Sequence, residues 1–158
     1  MFQDLTSLVV DLGTAYSRLG YGGDDAPKLM PHSLVSTHSS AMQEEDHSGL
    51  RVGDKHLNRP VEGEEVHSIF SQRGKEGYAL DSSRTEAFLQ HNLENELGVN
   101  MRDYSVLISE DLAASPEENR RTRQQMAEFI FEKLDAANVF YLKAPVLSCF
   151  ATGTPLKT

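Results

Sequence analysis

The stretch Leu8-Val9-Val10-Asp11-Leu12-Gly13-Thr14-Ala15-Tyr16-Ser17-Arg18-Leu19-Gly20-Tyr21 decides the fold. Leu8-Val9-Val10 is a short apolar run, and Asp11-Leu12-Gly13-Thr14 supplies turn chemistry. Alternation resumes from Tyr16 to Tyr21, with Tyr16 and Ser17 on different faces. A second turn, Gly22-Gly23-Asp24-Asp25-Ala26-Pro27, leads to a third strand around Lys28 to Met30, so the segment reads as a meander. The first turn can aim backbone N–H groups and the Thr14 hydroxyl at a phosphate. Asp11 can hold a hydrated Mg²⁺ through water, because magnesium keeps several waters and uses few carboxylates. Arg18 adds a positive charge within reach of the same phosphates. A D-x-G-T turn by itself is a short motif, and most such turns are ordinary hairpins.

Outward from that stretch, composition narrows the classes. The chain has 158 residues with 24 acidic and 15 basic side chains, a formal net charge of -9. That length suits one domain or a little more, with a core that needs no disulfides. The negative balance argues against a phosphate-tracking nucleic-acid binder and against an anionic membrane surface. The single cysteine, Cys149, excludes an internal disulfide framework and a cysteine-paired zinc site, and it reads as a buried structural thiol beside Leu147 and Phe150. No apolar run approaches the roughly 20 residues that span a bilayer. The N-terminus lacks the residue order of a secretory signal, so cytoplasm or nucleus is the expected compartment. None of the six histidines forms a short-spaced pair on a helix, which argues against a metal site.

From His32 to Gly77 serines accumulate together with Glu44-Glu45-Asp46, and apolar periodicity is weak. This reads as a long surface excursion whose ordered candidates are strands at Gly49–Val52 and Val66–Phe70. The acidic run is a solvated surface. Beyond it, Asp81 or Ser82 caps a helix with Ser83 and Glu86 at capping-box spacing, an apolar stripe of Phe88, Leu89, Leu93 and Leu97, and Gly98 as its stop. Tyr104–Ser109 reads as a buried strand. Ser115-Pro116-Glu117-Glu118 opens a helix that runs to about Leu134. Val139–Leu142 is another strand, followed by a helix from Pro145 to near Gly153. Strand, helix, strand implies a parallel pair with a crossover, and the meander adds antiparallel strands, giving a mixed α/β sheet. The basic Asn119-Arg120-Arg121 and Arg123 read as a solvated helix face paired with Glu117 and Glu118.

Taken together, these segments resemble actin and the actin-related proteins. The run from Leu8 to Pro27 is similar to the family's first phosphate loop, and Gly23-Asp24-Asp25-Ala26-Pro27 is its most distinctive part. Val106-Leu107-Ile108-Ser109-Glu110, Asn119-Arg120, Phe131-Glu132 and Val146-Leu147-Ser148 follow in the family's order. The resemblance implies the actin-like ATPase (ribonuclease H-like) fold, a mixed sheet with flanking helices, first half only. Residues 1–32 and 71–158 would then form the subdomain 1-like portion and 33–70 the subdomain 2-like excursion. ATP and Mg²⁺ are the implied cofactors. Asp11, Gly13, Thr14, Ala15 and Arg18 are the implied cofactor-binding residues, with Asp11 reaching the metal through water. Arg18 stands where actin has a lysine; the charge is kept and the geometry changes.

Ala144 occupies the position of actin's water-orienting glutamine. Alanine neither donates nor accepts through its side chain, so binding survives this change and efficient hydrolysis does not. The stretch Ser36–Gly49, where actin has a loop that reaches the next filament subunit, is serine-rich and acidic, which argues against self-assembly. The Tyr21–Lys28 and Phe140–Ala151 segments are similar to the nuclear actin-related proteins of chromatin-remodelling and histone acetyltransferase complexes. The implied function is a non-polymerising structural subunit with weak or static nucleotide binding, whose partners are other protein subunits, a remodeller scaffold helix and nuclear actin. A cytoplasmic protein of the cytoskeleton that joins or regulates actin filaments is the alternative, and an active ATPase is the third reading. With half of the cleft missing, the 158-residue chain is expected to hold ATP weakly and to expose apolar surface where the second half would pack.

Overall fold

Thr6–Asp11 (β1) and Arg18–Tyr21 (β2) pair antiparallel around the turn in a computed structural model that describes residues 6–38, 49–53, 57, 62–72, 78–110 and 116–152. β1 also pairs in parallel with Tyr104–Glu110 (β8), which pairs in parallel with Asn138–Lys143 (β9). The four-stranded sheet has the order β2-β1-β8-β9 and is mixed, as the strand pattern implies. Leu8 and Val10 on β1, Leu19 on β2, and Val106 and Ile108 on β8 are buried, so the period-2 pattern of these strands supplies one covered face.

Two helices build the rest of this core. Ser82–Gln90 (α1) starts at Asp81, whose carboxylate accepts the Arg84 amide at 3.1 Å. Asp81 is thus the cap, and Ser82 Oγ donates to Glu86 one turn on. The helix widens into a π-turn over His91–Glu96. It closes with the Val99 amide on the Leu93 carbonyl and Gly98 at φ +64°, a backbone that glycine adopts without strain. Pro116–Glu128 (α2) connects β8 to β9 and ends in the same way, through a π-turn at Phe129–Lys133 and Asp135 at φ 57°. Asp135 holds this left-handed conformation with its carboxylate paired to Arg102. Phe88, Leu89 and Leu93 from the first helix and Met126, Phe129 and Ile130 from the second join the strand residues in one cluster. Each fully buried side chain of this size contributes about 1.5–3 kcal/mol.

The excursion holds more order than its composition suggests. Leu34–His38 (β3) lies between Leu50–Val52 (β4) and Glu64–Ser68 (β5) in a separate antiparallel sheet. Phe70–Gln72 (β6) and Tyr78–Leu80 (β7) form a hairpin pair. β3 and β7 are absent from the sequence reading, and the strand read at Val66–Phe70 is two strands broken at Ile69. The break has a polar cause: the Ile69 amide donates to Ser33 and its carbonyl accepts from Asp81, so Ile69 leaves both ladders. Lys28–Met30 is not a strand. It contributes an isolated bridge, Leu29 to Leu19, because beyond the Gly22–Pro27 turn the Lys28 and Leu29 amides both converge on the Leu19 carbonyl and do not step along β2 as a ladder would.

Ala144–Ala151 (α3) follows β9 directly and has no buried side chain among its residues. Cys149 is therefore exposed, which corrects the expectation of a buried thiol: no described element covers the face on which it lies. Phe140 and Leu142 on β9 and Val146 and Phe150 on α3 are likewise exposed, an apolar strip along one edge of the sheet. No helix among the described residues is long and apolar enough to cross a membrane. The central part of the Ser36–Gly49 stretch, with Glu44-Glu45-Asp46, lies outside the described residues, as do His47, His56, the Ser115 cap and Gly153.

Candidate functional site

The three parallel strands end together. Their registers align Asp11 with Ser109 and Ser109 with Leu142, so the last residues of β1, β8 and β9 share one edge of the sheet. In open α/β sheets this carboxyl edge is where ligands bind. Asp11 stands at its centre. Its Oδ2 accepts from Arg18 Nη1 at 3.0 Å across the hairpin, and its Oδ1 accepts from the Ser109 hydroxyl on the neighbouring parallel strand. The Asp11 and Arg18 side chains remain 36% and 50% exposed, so the pair is screened and open to exchange of partners.

Between them the turn reaches outward. Thr14, Ala15 and Tyr16 are exposed, whereas Ser17 is fully buried. The carbonyls of Gly13 and Ala15 point inward, where Ser33 takes both: its hydroxyl donates to Gly13 at 2.6 Å and its amide to Ala15 at 3.0 Å. A Cβ on Gly13 would lie 2.5 Å from the Tyr16 carbonyl oxygen, closer than packed atoms approach, so glycine here answers a need for space. Asp11 and Arg18 also line an open groove of about 310 Å³ with Gly20, Gly23, Asp24 and Asp25. Gly13, Thr14 and Ala15 sit outside this groove, at the tip of the turn.

A second polar cluster continues the same edge. Glu110, one residue beyond Ser109, forms a two-pronged ion pair with Arg123 of α2. The Arg123 guanidinium lies 5.7 Å from the centre of the Tyr141 ring, and the Tyr141 hydroxyl donates to the Arg123 carbonyl at 3.2 Å. Arg123 of the basic helix face thus pairs with Glu110 and Tyr141, because the β8 terminus presents a carboxylate opposite its face of the helix; the Glu118 side chain lies outside the described ones. Burial, reinforced by the Glu110 charge and partly offset by Arg123, pushes the Tyr141 phenol up to about 12. The folded value exceeds the unfolded value of about 10, so the stability from keeping this phenol neutral is complete below about pH 10 and fades as pH rises toward 12. Tyr141→Phe is expected to flatten that part of the pH–stability curve. Urea midpoints between about pH 9 and pH 11.5 check it: equal slopes for the two proteins would show that the phenol is not coupled to folding.

Sequence reasoning named Asp11, Gly13, Thr14, Ala15 and Arg18, of which the structure joins Asp11 and Arg18, and it did not single out Ser33, Ser109, Glu110 and Tyr141 as contacts at this edge. Ser109 ends the strand read over Tyr104–Ser109, and only the parallel register shows that it meets Asp11.

Comparison with known proteins now bears on this geometry. The actin family model matches residues 2–157. The chain belongs to the actin family. Actin-related protein 4 of Debaryomyces hansenii is 24% identical over 159 residues, covering 96% of this chain and 31% of the relative. The "SWI/SNF and RSC complexes subunit arp42" of Schizosaccharomyces pombe is 28% identical over 152 residues, covering 96% of this chain and 33% of its own length. Actin-related protein 3 of the same yeast is 26% identical over 170 residues, 95% of this chain and 39% of the relative. The chain therefore spans about a third of the length of the curated relatives it matches. Its mixed sheet with flanking helices is a fragment of the actin-like ATPase fold, and the actin family in general binds ATP with a divalent cation. In this actin-family chain Ala144 is the first residue of α3, immediately past β9 and at the same edge as Asp11.

Proposed function

We propose that this chain forms one side of a nucleotide clamp in an actin-related protein that serves as a non-polymerising structural subunit of a nuclear chromatin-remodelling or histone acetyltransferase complex. The carrying observation is Ala144, which leaves a methyl group at the sheet edge where actin has a glutamine amide. Nucleotide is held weakly or statically, and turnover is lost. The similarity to a relative named as a subunit of the SWI/SNF and RSC complexes supports the placement in the nucleus. The partners of this reading are other protein subunits, a remodeller scaffold helix and nuclear actin.

The residues at the turn fit the implied group. Asp11 is one carboxylate, part-exposed and bonded to the Ser109 hydroxyl, a donor suited to a cation that keeps its own waters. Bound there, Mg²⁺ would screen the charge on the phosphates. Gly13, Thr14 and Ala15 shape the tip against which phosphates would rest. Arg18 would divide its charge between Asp11 and those phosphates. We further propose the division into residues 1–32 with 71–158 and residues 33–70, supported by the separate three-stranded sheet of β3, β4 and β5.

The test is affinity purification of the tagged protein from cells, followed by identification of what copurifies. Remodeller and acetyltransferase subunits are expected. Filament regulators in their place, together with incorporation into pelleted actin filaments, would favour the cytoskeletal alternative and overturn this reading.

A further inference from the structure

β9 passes into α3 with no residue between them. The last paired residues of β8 and β9 are Glu110 and Lys143, and Ala144 opens the helix. Among the described residues α3 buries no side chain, and Lys143 gives its first turn no side-chain cap. The Ser148 hydroxyl returns to the Ala144 carbonyl of the same helix at 3.0 Å. Packing and capping therefore do little to aim α3. Its direction is inherited from the last residues of β9, an edge strand whose one neighbour in the sheet is β8.

Arg123 of α2 holds those residues in three ways. Its guanidinium forks onto both carboxylate oxygens of Glu110, the residue opposite Lys143. The same group lies 5.7 Å from the centre of the Tyr141 ring. Its backbone carbonyl accepts the Tyr141 hydroxyl at 3.2 Å. With its ionisation pushed up to about 12, chiefly by burial, that phenol stays a donor at neutral pH. The Glu110 side chain is 14% exposed, so solvent screens this pair less than it screens Asp11 and Arg18. A planar fork that pairs and stacks at once belongs to arginine and not to lysine. The ends of β8 and β9 are thus pinned to α2 immediately before Ala144.

We propose that Arg123 is a positioning residue that fixes the direction in which α3 leaves the sheet, and with it the place of Ala144 at the carboxyl edge. The proposal deepens the nucleotide-clamp reading and rests on it for its use: a pinned junction keeps the clamp in one shape, which suits a static grip. An ion pair kept only for stability would lower the melting point without letting α3 swing.

A spin-label distance across the sheet tests it. Cys149 is the single cysteine and is exposed on α3, so a nitroxide attaches there without substitution. A second nitroxide on Asp25→Cys, in the exposed turn after β2 at the opposite edge of the sheet, completes the pair in the full chain. Pulsed electron resonance is expected to read a narrow distance distribution in this labelled protein, and one about twice as wide with Arg123→Met. Glu110→Gln is expected to widen it alone and to add nothing beside Arg123→Met, because both changes open the same junction. Arg123→Lys, which keeps the charge and loses the fork, serves the same cycle where the methionine variant does not fold. A width unchanged by Arg123→Met, whatever its melting point, overturns the proposal. Equal widening by Glu110→Gln in both backgrounds overturns it too. Mg·ATP affinity is expected to fall as the distribution widens. If the widths behave as described and Mg·ATP binds none of these proteins, the positioning role stands and the nucleotide reading fails.

Discussion

Gly13→Ala is expected to lower the thermal midpoint by several degrees and to abolish nucleotide capture at the turn. The added methyl would meet the Tyr16 carbonyl oxygen at 2.5 Å. That oxygen belongs to the backbone of a residue whose ring packs on His32, with centroids 4.5 Å apart. It cannot retreat without opening the bonds from Ser33 to Gly13 and Ala15. Overpacking of this kind costs about 1–3 kcal/mol, occasionally more. For a chain of this size each kcal/mol corresponds to about 2–4 °C. A calorimetric melt checks the first part and a nucleotide titration the second. A variant that melts with the wild type would show that the turn has room it is not described as having.

Asp11→Ala separates metal-dependent from metal-independent binding. It removes the acceptor shared by Ser109 and Arg18 and frees the Arg18 guanidinium. Affinity for Mg·ATP is expected to fall about 10–100-fold, the usual cost of losing a group that orients a metal's bound ligands. Affinity for metal-free ATP is expected to hold or rise, because Arg18 can then turn wholly to the phosphates. Titration of a fluorescent ATP analogue with Mg²⁺ and with a chelator, on the copurified complex, reads both. Equal losses under the two conditions would mean that Asp11 shapes the turn and has no part in holding metal.

The hairpin, α1, β8, α2 and β9 were legible because each carries a local signal: an apolar run before a turn, a cap, a proline at a helix start, a glycine at a helix end. β3 was not. Its buried positions are Val35 and Ser36, so a polar residue sits where period-2 reading expects an apolar one, inside a serine-rich stretch. Ser33 was lost for the same reason, counted as one serine among several when its partners lie in the turn and at Ile69. Asp11 was legible as a residue, but its bond to Ser109 joins positions 98 apart and follows only from the parallel register. Cys149 misled because α3 is apolar around its circumference, and sequence does not say which face a neighbour covers. Ala144 gained meaning from the family pattern, since an alanine announces nothing by itself.

The central claim is a nucleotide clamp kept for shape after its water-aligning amide was lost. The most direct test is steady-state phosphate release from Mg·ATP by the complex purified from cells, compared with the same complex carrying Asp11→Ala. The account predicts bound nucleotide in the wild type and phosphate release no faster than from the Asp11 variant. Sustained release that disappears with Asp11→Ala would show a working ATPase and contradict it.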